Sequence, residues 1–159
     1  MILDTVKVFV NYASQTRGDQ LIKDVLTRVQ APLITLMASS EVSNTHELTF
    51  VVLAHIKFIV SRGDSSQFAK ECKRFYCKVD EPSYIQFLKL EILAYVAEMD
   101  NLGNILNELS VYVQEVNNLL ARKSIETLGK IASRLEETIQ PILQSLSQFF
   151  LINNEQITN

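Results

Sequence analysis

Apolar residues recur at helical spacing along nearly the whole chain. Ile2, Val6, Phe9 and Ala13 form one stripe. Leu21, Ile22, Val25, Leu26 and Val29 form the next, which Leu33 and Leu36 continue past Pro32. Proline lacks a backbone donor, so a kink or a break is expected at Pro32. Leu48, Val51, Val52, His55 and Ile59 make a third stripe, flanked by Phe50, Leu53, Ala54 and Phe58. A short fourth helix is expected over Ser66 to Phe75. A fifth runs from Pro82 to Met99 on Ile85, Leu88, Ile92, Val96 and Met99, widened by Tyr84, Phe87 and Tyr95. The sixth carries Leu102, Ile105, Leu106, Leu109 and Val113. The seventh carries Leu120, Ile125, Leu128, Ile131, Ala132 and Leu135, and the eighth Ile139, Ile142, Leu143, Leu146, Phe149 and Phe150.

Boundary chemistry supports these segments. Asn44 with Glu47 matches a capping box. Asp80, Glu81 and Pro82 supply a cap candidate, an acid for the positive helix end and a first-turn proline. Gly63 is a C-cap candidate. Starts fall near 66, 82, 102 and 118. The steps from 66 to 102 and from 82 to 118 are both 36 residues. Helix pairs at that period predict an all-α superhelix of the HEAT/armadillo-like solenoid type. The wide apolar faces agree, because an inner repeat packs on neighbours at both sides. A four-helix bundle is the alternative, but it prefers fewer, longer helices than the roughly eight expected here. Residues 1–159 are read as one segment. The uncapped start at Ile2, and a tail "NNEQITN" with Asn153 or Asn154 placed to cap a helix, lead to the expectation of a piece from a longer array.

Composition narrows the function. The 159 residues are 47% apolar and 21% charged, with a net charge of −3, so the chain as a whole lacks a nucleic-acid footprint. Four glycines and three prolines are too few for the turns of an all-β chain. The longest apolar run, Phe50 to Val60, is about half a membrane span and carries His55 and Lys57. "MILDTVKVFV" lacks the basic start and cleavage site of a signal peptide. A soluble, intracellular protein without a transmembrane segment is therefore expected.

Candidate chemistry concentrates in "KECKRFYCKVDEPSY", Lys70 to Tyr84. Cys72 and Cys77 are five apart, with no second pair and no histidine cluster to complete a zinc site. His46 and His55 are the only histidines, so a Cys-His nucleophile has little support. His55, in an apolar stripe, is expected to be a satisfied core or interface residue. The isolated glycines Gly18, Gly63, Gly103 and Gly129 form no phosphate loop. Gly129 is expected to let two helices approach closely. No catalytic residue, metal site or cofactor site is assigned. Lys70, Lys73, Arg74 and Lys78, interleaved with Phe75 and Tyr76, are the one candidate partner-binding cluster, suited to RNA or acidic headgroups. Read plainly they are a solvated face with basic residues at a negative helix end.

The order of several segments resembles the β subunits of adaptor-protein complexes, the β-adaptins. "FYCKVDEPSYIQFLKLEIL" (75–93) carries the family's aromatic pair, acid-Pro step and following helix. "RVQAPLITLM" (28–37), "ELTFVVLAHIKFIV" (47–60) and "ILNELSVYVQEVNNLLARKSIETLGKIAS" (105–133) extend the likeness over roughly residues 20–135. The detail around Phe75 to Ile85 is similar to the fourth adaptor complex. This resemblance implies a non-enzymatic trunk segment of a cytosolic vesicle coat, acting in intracellular protein transport and cargo sorting. The implied partners are a second large subunit, a medium and a small subunit. Attachment to Golgi, trans-Golgi or endosomal membranes would be peripheral and through the complex, with no nucleic acid. "FLKLE" (87–91) approaches a clathrin-box pattern but begins with Phe and lies inside a predicted helix. The alternative to an adaptor trunk is another helical-repeat module, for nuclear transport or RNA, using the Lys70–Lys78 cluster.

Overall fold

The computed structural model describes residues 8, 19–42, 45–62, 65–114, 118–144 and 147. The expected first stripe at Ile2 to Ala13, the caps at Asn44 and Gly63, and the stretch containing Leu146, Phe149, Phe150 and the tail lie outside them. Among the described residues the regular structure is helical, with no strand. We number the helices α1 (Asp19–Val42), α2 (His46–Val60), α3 (Ser66–Lys70), α4 (Ser83–Val96), α5 (Leu102–Val113) and α6 (Asn118–Arg134). Short 3-10 helices occupy Cys72–Phe75 and Glu136–Thr138, and helical backbone follows at 139–144. The starts at 66, 83, 102 and 118 fall within one residue of the spacing expected from the sequence.

The chain divides into two compact units, Met1–Phe68 and Ala69–Asn159. In the first, α1 packs on α2. Helix α1 runs unbroken through Pro32. Arg28, whose carbonyl would receive the missing N–H, and Pro32 are both exposed, so water can take that acceptor. The buried line of α1 is Leu26, Gln30, Leu33, Met37 and Ser40. Of its polar members, Ser40 is bonded locally, its Oγ donating to the Met37 carbonyl at 2.8 Å and accepting from Thr49 Oγ1 of α2 at 3.0 Å, whereas Gln30 buries an Oε1 that accepts no hydrogen bond. In α2 the buried set is Thr49, Val52, Leu53, His55, Ile56, Ile59 and Val60, whereas Phe50 and Val51 are exposed. Val52, His55 and Ile59 of the expected stripe are therefore inside, and the buried face is shifted from Leu48 and Val51 toward Leu53 and Ile56.

In the second unit α6 packs on α5 and also on α4, two helices earlier in the chain. Contact with both the preceding helix and the one before it is how stacked helical repeats share a core. The 3-10 helix Cys72–Phe75 closes another side of α4. Helix α4 is consequently buried on several sides: Ile85, Gln86, Leu88, Lys89, Leu90, Ile92, Leu93, Ala94 and Val96 are all inside. Tyr84, Tyr95 and Met99, expected to widen or extend that face, are exposed instead, and the helix ends at Val96. Its end is held by side chains. Asn101 Nδ2 donates to the Val96 carbonyl at 3.0 Å and to the Ala69 carbonyl at 3.1 Å, while its Oδ1 accepts the Glu98 N–H at 2.8 Å. The Arg134 guanidinium donates to the carbonyls of Ala94, at 3.1 Å, and Ala97. These satisfy acceptors that a helix C-terminus leaves open. Gly129 is exposed, and a Cβ there would meet nothing within 4 Å. The close helix approach expected at this glycine is not made among the described residues.

Candidate functional site

The corner between α3 and α4 gathers the chemistry that the sequence singled out. Helix α3 ends at Lys70, and the 3-10 helix turns the chain so that Cys72 and Phe75 point inward. An extended step at Tyr76 and Cys77 follows, then a turn in which the Glu81 N–H donates to the Lys78 carbonyl at 3.3 Å. Pro82 occupies the cap position of α4, one residue earlier than a first-turn proline, and its carbonyl accepts the Ile85 N–H at 2.9 Å.

This corner is tied to the helices behind it by side chains that hydrophobic patterning does not reveal. Lys89 is fully buried in α4. Its Nζ donates to Glu81 Oε1 at 2.5 Å and to the Tyr76 carbonyl at 3.2 Å. The second carboxylate oxygen of Glu81 accepts the Lys78 N–H at 3.1 Å. Gln86 Nε2 donates to the Lys78 carbonyl at 3.0 Å. The Cys77 N–H donates to the Tyr112 hydroxyl at 2.7 Å, and that hydroxyl donates to Glu108 of α5. Buried polar backbone must find partners, and here α4 and α5 supply them. Glu81, expected to serve the helix dipole, chiefly neutralises a buried ammonium. The sequence held one signal for this: a lysine in the middle of a helix apolar on several sides needs an anion.

The thiols are structural. Both cysteines are free, Cys72 buried and Cys77 half-buried. The Cys77 thiol lies 3.6 Å from the Gln86 carbonyl, and burial is the main cause that pushes its pKa up to about 12. Such a thiol holds its proton at neutral pH, the opposite of an activated nucleophile. Burial likewise pushes the Tyr76 phenol up to about 12, assisted by Cys72 and Glu108. Tyr112 is also raised, by burial first and then by its bond to Glu108. His55 is buried and donates Nδ1–H to the Val51 carbonyl at 2.7 Å, but its Nε2 is buried with no hydrogen-bond partner, so the core histidine expected to be satisfied is only half so. Among the described residues no cluster of three or more His, Cys, Asp or Glu could hold a metal ion.

The four candidate residues Lys70, Lys73, Arg74 and Lys78 are all exposed. Arg74 Nε pairs with Glu71 at 2.8 Å, an exposed contact of small energetic weight. Their aromatic neighbours do not share the surface. Phe75 is fully buried, and the Tyr76 hydroxyl is shielded from solvent. The "FLKLE" segment is likewise closed to partners as an extended peptide: it is mid-helix, with Leu88, Lys89 and Leu90 buried. Among the described residues no helix is long and apolar enough to cross a membrane.

Taken together these features define an all-α repeat-type protein whose polar groups are committed to holding turns and helix ends. The chain belongs to the adaptin family: the model of the adaptin N terminal region matches residues 1–159. It is 36% identical over 158 residues to the AP-4 complex subunit beta of Dictyostelium discoideum, covering 95% of this chain and 18% of that protein. It is 36% identical over 159 residues to the beta-adaptin-like protein A of Arabidopsis thaliana, covering 99% of this chain and 18% of that one. Against the AP-2 complex subunit beta of Schizosaccharomyces pombe the identity is 31%, over 91% of this chain and 20% of that protein. The chain therefore spans about a fifth of the length of these curated relatives. The β-adaptin resemblance read from residues 20–135, and the all-α fold class, are borne out.

Proposed function

We propose that this chain is part of the trunk of a β-type large subunit in a heterotetrameric adaptor complex, and that it acts as a non-enzymatic scaffold. One observation carries the reading: the adaptin family match runs the length of the chain, and its most similar reported relatives are β subunits. The physics agrees. Helix α6 locks α4 and α5 into one stiff body, and stiff bodies of stacked helices present broad surfaces with little entropy to lose on binding. Work is done by surface complementarity to a second large subunit, a medium and a small subunit. The protein so assembled is cytosolic and meets Golgi, trans-Golgi or endosomal membranes peripherally, where the coat sorts cargo. An AP-4-type complex is the finer reading, supported by the 36% identity to the AP-4 subunit of Dictyostelium discoideum against 31% for the AP-2 subunit, and opposed by the 28% identity to the AP-4 subunit of Mus musculus.

Affinity purification of the full-length protein from its own cells, followed by mass spectrometry, tests the reading. Near-stoichiometric recovery of the three other adaptor subunits is expected, with the medium subunit telling AP-4 from other types. Recovery of the protein alone, or with transport receptors or RNA-binding partners, refutes it.

A further inference from the structure

Helices α4 and α6 repeat one structural position. Their starts, Ser83 and Asn118, are 35 residues apart. At that offset every buried residue of α6 falls on a buried residue of α4: Leu120 on Ile85, Ser124 on Lys89, Thr127 on Ile92, Leu128 on Leu93 and Ile131 on Val96. The correspondence breaks along one strip. Leu90, Ala94 and Ala97 are buried, Leu90 with 0% exposure. Their counterparts are Ile125, 42% exposed, Gly129, exposed, and Ala132, half-buried. In α4 this is the side on which α6 lies. The Arg134 guanidinium of α6 donates to the carbonyls of Ala94 and Ala97, and Lys123 Nζ reaches Glu91 at 3.0 Å. Among the described residues no helix stands to α6 as α6 stands to α4.

We propose that the Ile125–Gly129–Ala132 side of α6 is the seat of a further helix of the same polypeptide. That helix begins at Asn153 or Asn154 and packs on α6 as α6 packs on α4. The register carries the choice of occupant: one more 35-residue step from Asn118 reaches Asn153, and asparagine is a favoured cap. Stacked repeats share their core with the nearest neighbour, so the interface already seen between α4 and α6 continues. The curated relatives, of which this chain spans about a fifth, leave ample polypeptide to complete the helix, and on this point the inference rests on the trunk reading. An exposed isoleucine alone needs no explanation. Here it aligns with a fully buried leucine, and a glycine stands mid-helix beside it, where alanine would favour the helix more. Helix separation follows the side chains at the contact. Gly129 in the place of Ala94 lets the incoming helix come at least as close as α6 comes to α4. This gives the glycine the close approach expected of it from the sequence, with a helix outside the described residues.

The test uses the full-length protein. Glu91 and Lys123 meet across α4 and α6, so the equivalent pair in the proposed contact is Glu126 and Thr158, the latter outside the described residues. Glu126→Cys with Thr158→Cys, treated with a short bismaleimide and mapped by tryptic mass spectrometry, should link within one polypeptide. Val79→Cys with Thr158→Cys should not, because Val79 stands in the turn before α4, a helix further off. Gly103 and Gly129 are matched for a second measurement, since a Cβ at either meets nothing within 4 Å. Gly129→Leu should speed hydrogen exchange of the α6 amides about tenfold, because the leucine overfills the seat. Gly103→Leu should leave them unchanged. The crosslink does not depend on the protein tolerating a change at 129. A missing 126–158 link, or α6 exchange that ignores Gly129→Leu, overturns the proposal. So does a link from position 126 to a second copy, which makes this side a self-contact, or to a different subunit, which makes it a subunit interface. An intact link without recovery of adaptor subunits fails the scaffold reading alone; full recovery without the link fails this one alone.

Discussion

Glu81→Leu should be one of the most damaging single changes in the second unit, although Glu81 sits in a turn. Its carboxylate pairs with Lys89, whose side chain has 0% exposure while that of Glu81 has 9%. Removing the acid leaves the ammonium inside with the Tyr76 carbonyl at 3.2 Å as a remaining acceptor. Breaking a buried ion pair by removing one partner costs about 3–5 kcal/mol, a large part of the roughly 5–15 kcal/mol that holds a domain together. The lost bond to the Lys78 N–H adds little, because Lys78 is exposed. Lys89→Met keeps the aliphatic stem and removes the charge. It leaves the Glu81 carboxylate nearer to solvent and the Tyr76 carbonyl short of a donor, for about 1–3 kcal/mol.

The combination is the sharper test. Glu81→Leu with Lys89→Met buries no charge, so the double variant should be more stable than Glu81→Leu alone. It should fall short of the sum of the single losses by at least about 2 kcal/mol. Urea denaturation followed by far-UV circular dichroism gives the four stabilities. Native-state hydrogen exchange at the α4 amides provides a readout confined to the affected unit. A Glu81→Leu loss below about 1 kcal/mol, or a cycle additive within about 0.5 kcal/mol, would show that the pair is not the linchpin of the corner.

Ile92→Ala, at a fully buried site of α4, should cost about 2–5 kcal/mol in the same urea experiment, and Leu88→Ala, slightly exposed, should fall lower in that range. Tyr112→Phe should cost about 1–3 kcal/mol, because the Cys77 N–H loses its acceptor and Glu108 its donor; a neutral result would mean that water replaces the hydroxyl. Cys77 and Tyr76 both have folded pKa values raised to about 12, from ordinary values of 9.0 and 10.0. Above about pH 9 the unfolded chain therefore binds fewer protons than the folded one, and stability present in full below that pH should be lost as pH climbs toward 12. Urea midpoints against pH should show Cys77→Ala flattening the onset of this decline, while iodoacetamide at pH 8 should label Cys77 two to three orders of magnitude more slowly than a free thiol; equal labelling rates would contradict its burial.

Helix positions were legible because local chemistry marks them. Starts at Ser66, Ser83, Leu102 and Asn118 lie at breaks in the apolar periodicity, and the Pro82 boundary has only one good place for its ring. Helix rotation was less legible. In α2 the stripe through Val51 and the stripe through Ile56 are comparably apolar, so packing on a neighbour decides which is covered; α2 packs on α1, and Ile56 is the buried one. In α4 the error has the same origin: Tyr84 and Tyr95 look like core residues until the 3-10 helix and α6 fill the other sides. Pro32 shows the opposite limit, a strong local signal tolerated because the affected carbonyl faces water. Lys70, Lys73, Arg74 and Lys78 were legible as an exposed basic cluster. The removal of Phe75 from that surface was not, since it depends on a 3-10 turn too short to leave a periodic trace.

The density of chemical residue types between Lys70 and Tyr84 has a physical cause other than catalysis. A chain that changes direction against a helix buried on several sides cannot satisfy its turn backbone with water on the inner side. It needs side chains from that helix to do so, and Gln86 and Lys89 take this role. Lys89 in turn needs an anion, and the nearest affordable one belongs to the turn itself, Glu81. Drawing Glu81 inward has an outward consequence. It takes a negative charge off a surface that also displays Lys70, Lys73 and Lys78, and it fixes the base of the turn that displays Val79. The ion pair that stabilises the corner and the fixed, exposed position of Val79 are thus two results of one placement.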